Sequence, residues 1–186
     1  MITPLSEKYQ KEVIPEMMKK FGYKNAMAVP KIKKVVVNTG FGRLIAGKTS
    51  EEQKKISDAI SEDFSLITGQ KPILKNSKKS IAGFKTRKGL PIGAAVILRG
   101  KMMKDFLERL IHLVLPRLRD FQGIDPNSFD NKGNLTIGIK EQIAFLEVSP
   151  EKSKNIFGLE VTVVTNTKTR EEGIALLKLI GFPIKK

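Results

Sequence analysis

Apolar residues recur at three- and four-residue spacing in four stretches of this chain, and at two-residue spacing in most of what lies between. Val13, Ile14, Met17, Met18 and Phe21 mark an amphipathic helix over residues 4–21, stopped by Gly22. Residues 49–69 carry Ile56, Ile60, Phe64 and Ile67 on one face, with Glu51 and Glu52 in the first turn, where carboxylates suit the helix dipole. Met103, Phe106, Leu107, Leu110, Ile111, Val114 and Leu115 form one continuous stripe that Pro116 is expected to end. The last helix, residues 169–180, opens on Thr169-Arg-Glu-Glu172, the pattern in which a Thr hydroxyl and a Glu carboxylate satisfy each other's backbone N–H groups.

The strands alternate. They are predicted at residues 31–38, 72–75, 90–99, 134–142 and 159–165, and residues 120–133 read as a polar loop. Two pairs of strands follow each other without a helix between them, which favours antiparallel pairing. The fold class is therefore α+β: an antiparallel (mixed) β-sheet with helices packed on one face, an RRM-like two-layer sandwich with a long basic loop between the second and third strands. Residues 1–186 read as a single domain, with no internal repeat and no linker.

Parity divides each strand into two faces. Val35, Val37, Val96, Leu98, Leu135, Ile137, Ile139, Val161 and Val163 belong to the core. Opposite them stand Lys34, Val36 and Asn38; Ala95, Ile97 and Arg99; Thr136, Gly138, Lys140 and Gln142; and Glu160, Thr162, Val164 and Asn166. This second set is small, polar and basic, a surface suited either to solvent or to RNA.

Charge decides between the two. The chain carries +15, and from Phe64 to Lys104 there are ten basic residues and no acidic one. Six of the ten crowd the segment Lys75-Asn-Ser-Lys78-Lys79-Ser-Ile-Ala-Gly83-Phe-Lys85-Thr-Arg87-Lys88-Gly89. Such a run repels itself, cannot be buried, and is expected to take up order only on an anionic partner. With the positive field of the whole chain, it is the electrostatic footprint of a nucleic-acid binder.

Other chemistries find little support. There is no cysteine and one histidine, His112, so no disulfide and no Cys- or His-rich metal site is expected. No catalytic residues, cofactor or metal emerge. No apolar run approaches the roughly 20 residues that span a bilayer, and the first eight residues show no signal-peptide pattern. A cytoplasmic location is the default, with no membrane partner. One competing motif stands out: Gly42-Arg-Leu-Ile-Ala-Gly47-Lys48-Thr49 matches the G-x-x-x-x-G-K-[ST] phosphate loop, between a predicted strand and a predicted helix. Against a nucleotide-binding enzyme stand the absence of alternating βαβ units and of a later strand ending in a magnesium-binding aspartate.

Lys78-Lys-Ser-Ile-Ala-Gly-Phe-Lys85, Gly89-Leu-Pro-Ile-Gly93 and Leu98-Arg-Gly100 resemble the large-subunit ribosomal protein five family, the proteins that bind 5S rRNA. Further similar motifs stand in the same order at Val29-Pro-Lys-Ile, Ile67-Thr-Gly-Gln70-Lys-Pro72, Leu115-Pro-Arg-Leu, Phe129-Asp130 and Gly138-Ile-Lys-Glu-Gln142. The resemblance implies an antiparallel sheet with helices on one side, and 5S rRNA held in the central protuberance by the sheet face and nearby loops. It also implies contact with large-subunit rRNA and neighbouring ribosomal proteins, with peptidyl-site tRNA through the basic excursion, and with a protein of the small-subunit head. The ribosome of the cytoplasm or of an organelle is the implied location.

Asn38, Gln70 and Arg99 fall on the family's 5S positions. With Lys71 beside Gln70 and with Lys34 and Lys140 on the open face, they make up the expected rRNA-binding set. Lys75, Lys78, Lys79, Ser80, Phe84, Lys85, Arg87 and Lys88 make up the expected tRNA-facing loop. Departures from the family pattern are Ala95 and Ile97, where a Lys and a Thr are usual, Leu146 in place of a Pro, and a longer loop at residues 42–49. That loop offers Arg43 and Lys48 as possible contacts to RNA phosphate.

Overall fold

The computed structural model describes residues 4–119, 121–149 and 155–185, so Asp120, the predicted start of the polar loop, lies outside the described residues. Five strands, β1 (Ile32–Gly40), β2 (Ile73–Asn76), β3 (Pro91–Leu98), β4 (Leu135–Ile139) and β5 (Leu159–Thr165), form one sheet in the order β2-β3-β1-β5-β4. The α+β antiparallel fold expected from the pattern is the one observed. β2 runs antiparallel to β3, with Ile73 opposite Ala95 and Lys75 opposite Gly93, and the register shifts between Lys75 and Asn76. Every residue of this edge strand is exposed, and the register irregularity and Lys75 guard it against pairing with other chains.

Helix α1, residues 5–21, is α-helical at Leu5–Lys8, widens to a π-turn over Tyr9–Val13, and resumes as Ile14–Phe21. Helix α3, residues 100–117, does the same: Gly100–Arg109, a π-turn at Leu110–Val114, then Leu115–Arg117. Each π-turn ends two residues before a proline, Pro15 or Pro116. A proline has no N–H for the carbonyl four residues back and its ring crowds that carbonyl, so a wider turn lets the helix pass it. Pro116 therefore lies inside the last turn, where the sequence pattern had it ending the helix. Helix α2 (Ser50–Thr68) and helix α4 (Arg170–Ile180) start from capping boxes at Thr49 and Thr169.

The chain divides into two compact units, and β1, β4 and β5 each pass from one into the other. The first comprises the described residues of 1–35, 99–137 and 162–186 and contains α1, α3 and α4. Its core includes Val13, Met17, Val35, Phe106, Leu107, Leu110, Leu115, Leu135, Val163, Leu176 and Leu177. The second comprises the described residues of 36–98 and 138–161, with α2 and the basic excursion. Its core includes Val37, Phe41, Ile45, Ile60, Phe64, Ile67, Leu98, Phe145, Phe157 and Val161. Each large apolar side chain so buried stabilises the fold by about 1.5–3 kcal/mol before entropy is charged against it. In both units the strands bury alternate residues, and the buried parity is the one predicted.

One position departs from that parity. Gln142 was placed on the open face at the end of a long fourth strand. β4 instead ends at Ile139, and Gln142 starts a short 3-10 turn, Gln142–Ala144, with its side chain fully buried. Its amide donates to the Asn155 carbonyl at 2.6 Å and accepts from the Phe157 N–H at 2.9 Å, so it serves the fold of the second unit.

Candidate nucleic-acid interface

On the open parity of the second unit, Asn38 and Ala95 are half-buried and Ile97, Gly138, Lys140 and Glu160 are exposed. Asn38, Gly138, Lys140 and Glu160 line a shallow depression of about 440 Å³. The Asn38 amide donates to Glu160 Oε1 at 3.5 Å, a weak bond. Thr39, on the buried parity, donates to the Gly158 carbonyl at 2.6 Å and ties β1 to the chain entering β5. A Cβ on Gly93 would stand 2.8 Å from the Thr39 carbonyl oxygen, so only glycine lets β3 approach β1 this closely. Glu160 was legible only as a parity position; its pairing with Asn38 is a long-range fact that no local pattern carries.

Gln70 and Lys71 are exposed just beyond the C-terminus of α2, where Gly69 takes a left-handed φ of 69°. The Thr68 hydroxyl lies within donating distance of the Phe64 and Gln70 carbonyls, at 2.8 and 2.9 Å, holding the Gln70 backbone while its side chain is exposed. This pair borders Asp58, Ser61 and Glu62 of α2, apart from the depression that holds Asn38 and Lys140. In the first unit, Lys34 is half-buried on β1, and Arg99 is exposed in extended backbone immediately before α3. The open parity there also carries the Thr136 and Thr162 hydroxyls, 3.2 Å apart across β4 and β5.

The basic excursion has a hydrogen-bonded framework of its own, against the expectation that only a partner would order it. Ser77 and the 89–90 segment exchange backbone bonds of 2.8 and 2.9 Å at its base. Ile81 and Thr86 pair as an isolated antiparallel bridge, and the tip between them is a short 3-10 turn, Ala82–Phe84. The Ser77 hydroxyl donates to the Lys79 carbonyl at 2.7 Å, and Ser80 Oγ accepts from the Lys88 N–H at 2.9 Å. Ser80 is thus partly a framing residue. Lys75, Lys78, Lys79, Phe84, Lys85, Arg87 and Lys88 all remain exposed on this frame.

The phosphate-loop match folds into something else. Residues Gly42–Ile45 make a single helical turn, and Thr49 is the N-cap of α2. The N–H groups of Leu44, Ala46 and Lys48 donate to the carbonyls of Phe41, Gly42 and Ile45, and that of Thr49 to Glu52 Oε2. These four donors are engaged within the protein, and the Glu52 carboxylate holds the place of an anion at the helix start. The backbone N–H and hydroxyl of Thr49 keep that carboxyl below its ordinary pKa, against slight desolvation, with Lys48 and Lys55 adding to the effect. Arg43 lies beside the excursion, and Lys48 borders Glu52 and Lys55.

Among the described residues no cluster of His, Asp or Glu is arranged to hold a metal ion, and no helix is long and apolar enough to cross a membrane.

Residues 25–87 match the family model described as ribosomal protein L5, and residues 91–184 match that of the ribosomal L5P family C-terminus. The large ribosomal subunit protein uL5 of Dictyoglomus turgidum is 52% identical over 182 residues, covering 98% of each chain. That of Halothermothrix orenii is 48% identical over 182 residues with the same coverage, and that of Geotalea uraniireducens 50% identical over 181 residues, covering 97% of this chain and 98% of the relative. With two family models spanning most of its length and relatives near half identity, the chain belongs to the ribosomal protein L5 (uL5) family.

Proposed function

We propose that this chain holds 5S rRNA in the central protuberance of the large ribosomal subunit, while its basic excursion reaches the peptidyl-site tRNA and it contacts a protein of the small-subunit head. Family membership makes it a structural, non-enzymatic constituent of the large subunit, assembled with rRNA and ribosomal proteins. The finer reading treats residues 1–186 as one RNA-binding domain on cytoplasmic ribosomes. Asn38, Gln70 and Arg99 hydrogen-bond the 5S rRNA, and Lys34, Lys71 and Lys140 neutralise phosphate around them. Lys75, Lys78, Lys79, Lys85, Arg87 and Lys88 serve the tRNA.

The observation that supports this most is the exposure of every basic side chain in the excursion, on a frame that holds them apart from the core. Six cations held in water in one short segment are an open invitation to a polyanion. Phosphate contacts of that kind position a folded RNA, and the amides and Arg99 supply the directional bonds. The test is filter binding to 5S rRNA at several salt concentrations, with labelled ATP and GTP in parallel. Affinity is expected to fall with log salt at a slope of roughly −4 to −5 for about six neutralised phosphates, with no nucleotide retained. A slope near zero would sink the electrostatic reading.

A further inference from the structure

Beside the excursion lies a groove of about 890 Å³, whose lining includes Phe84 and Lys85 of the expected tRNA-facing loop. Its walls are the one-turn helix Gly42–Ile45 and the excursion tip, and it is lined by Arg43, Leu44, Ile81, Phe84, Lys85 and Ile156, all of the second unit. Phe84 is 70% exposed, Ile156 55% and Ile81 45%, so three large apolar side chains meet water in one concave place. Isolated exposed apolar residues need no explanation; a cluster lining a groove marks a binding surface. Among the described residues, no carboxylate lines it.

Two features show that the groove is built. The 42–49 segment reaches the tip, since a Cβ on Gly47 would stand 3.6 Å from Lys85 Cδ. Lys85 itself holds a left-handed φ of 49°, a conformation unfavourable for a residue with a side chain, while its N–H closes the tip onto the Ala82 carbonyl at 2.9 Å. The departure from regular backbone thus falls on the residue that brings a cation to the groove.

We infer that this groove receives a single unpaired RNA nucleotide, its base laid against Phe84 and Ile156 and its phosphate on Arg43 and Lys85. A nucleotide is the ligand that is apolar on its base faces and anionic a few ångströms away, and the lining offers both apolar side chains and two cations. A duplex keeps its bases stacked inside and offers such a groove phosphate alone, leaving Phe84 and Ile156 in water. An ordinary apolar protein helix would cover those two and desolvate Arg43 and Lys85 without a partner. The volume falls within the roughly 300–1,000 Å³ of small-ligand sites, room for one nucleotide with its flanking phosphates. Arg43 thereby gains a role distinct from that of Lys48.

The inference rests on the RNA-binding reading and is tested separately from it. Two RNA hairpins of equal length, one with a single 2-aminopurine extruded as a bulge and one with it paired, are titrated with the full chain at fixed salt, alongside 5S rRNA. The bulged hairpin is expected to bind roughly tenfold tighter, with a fluorescence change on stacking. Phe84→Ala abolishes the preference and the fluorescence change without altering the circular dichroism spectrum, and Arg43→Ala lowers the salt slope for the bulged hairpin by about one. Salt-dependent binding of 5S rRNA with equal affinity for both hairpins overturns the inference alone, as does a preference that survives Phe84→Ala. Failure to bind any of the three RNAs overturns the RNA-binding reading and this inference with it.

Discussion

Thr49 and Glu52 hold each other at the head of α2: the Thr49 N–H and hydroxyl donate to Glu52 Oε2 at 3.0 and 2.9 Å, and the Glu52 N–H returns a bond to the hydroxyl at 3.4 Å. In a nucleotide-binding loop that hydroxyl would face a magnesium ion and the amides before it would face phosphate. Here both are used inside the protein. Lys48→Ala is expected to leave the fold intact and 5S rRNA binding nearly unchanged, with ATP and GTP unretained in the wild type and the variant alike. Thr49→Ala is expected to lower stability by about 1 kcal/mol through loss of the cap, read by denaturant titration. Magnesium-dependent nucleotide binding that Lys48→Ala abolishes would restore the motif to the centre of the account.

That motif shows where sequence reading stops. Among the described residues the four long helices and the five strands were legible, because their apolar spacing is set by what each must bury. The pairing of Thr49 with Glu52 was also in reach, being local, yet the longer glycine pattern overlapped it. The contact of Asn38 with Glu160 and the placing of Ile156 in the same groove as Phe84 depend on residues far apart in sequence. Spacing carries no information about those. Gln142 failed for another reason: its strand ends three residues early, and a glutamine at a turn can satisfy buried backbone as readily as it can face water.

The Asn38–Lys140 depression predicts two different defects. Asn38→Ala removes a directional bond and is expected to weaken 5S rRNA binding by about 1 kcal/mol, roughly fivefold, at every salt concentration. Lys140→Ala removes a phosphate contact, so its effect is expected to be large at low salt and small at high salt, with the slope shallower by about one. Parallel salt curves for both variants would contradict this division of roles.

Lys78 and Lys79 stand exposed near the base of the excursion and do not line the depression that holds Asn38 and Lys140. Doubly substituted by Ala, they are expected to weaken subunit joining and tRNA retention severalfold while 5S rRNA binding changes less than twofold, because only rim charges are lost. Sucrose-gradient profiles of reconstituted ribosomes and filter binding read the two effects side by side. Collapse of 5S binding in this variant would mean that the excursion serves 5S rRNA.

Gly133 and Gly173 meet backbone to backbone in the first unit. A Cβ on Gly173 would overlap the Gly133 backbone, and Gly133 has a left-handed φ of 75° that ends the turn opened by Asp130. Neither flexible side chain nor open space is there to absorb a methyl group. Gly173→Ala is therefore expected to cost about 3 kcal/mol or more despite the helix-favouring residue introduced, by forcing α4 away from that turn. Denaturation midpoints of Gly173→Ala and of Gly138→Ala, which meets nothing within 4 Å, provide the comparison. Equal midpoints would show that the turn yields easily.

Tyr23 and Glu172 couple the segment after α1 to the first turn of α4, and they contribute at opposite ends of the pH range. Burial, with the Glu172 carboxylate beside it, pushes the Tyr23 hydroxyl from 10.0 up to about 12. For Glu172, partial burial works upward, but it is outweighed by the Lys168 N–H, the Tyr23 hydroxyl, the Thr169 N–H and the Lys168 charge, and the carboxyl is held below its ordinary 4.5. In the alkaline range the folded protein keeps a proton that the unfolded chain gives up. This contribution is complete below pH 10 and is lost as pH rises toward about 12. In acid the sign reverses: the unfolded chain takes up a proton first, so the Glu172 contribution is complete above about pH 4.5 and is lost as pH falls through its folded value. Tyr23→Phe is accordingly expected to flatten the alkaline limb of the stability curve and Glu172→Gln the acid limb. Urea titrations across pH 3 to 11.5 measure both, and a Tyr23→Phe curve parallel to wild type above pH 10 would show that the phenol is no more shielded in the folded protein than in the unfolded chain.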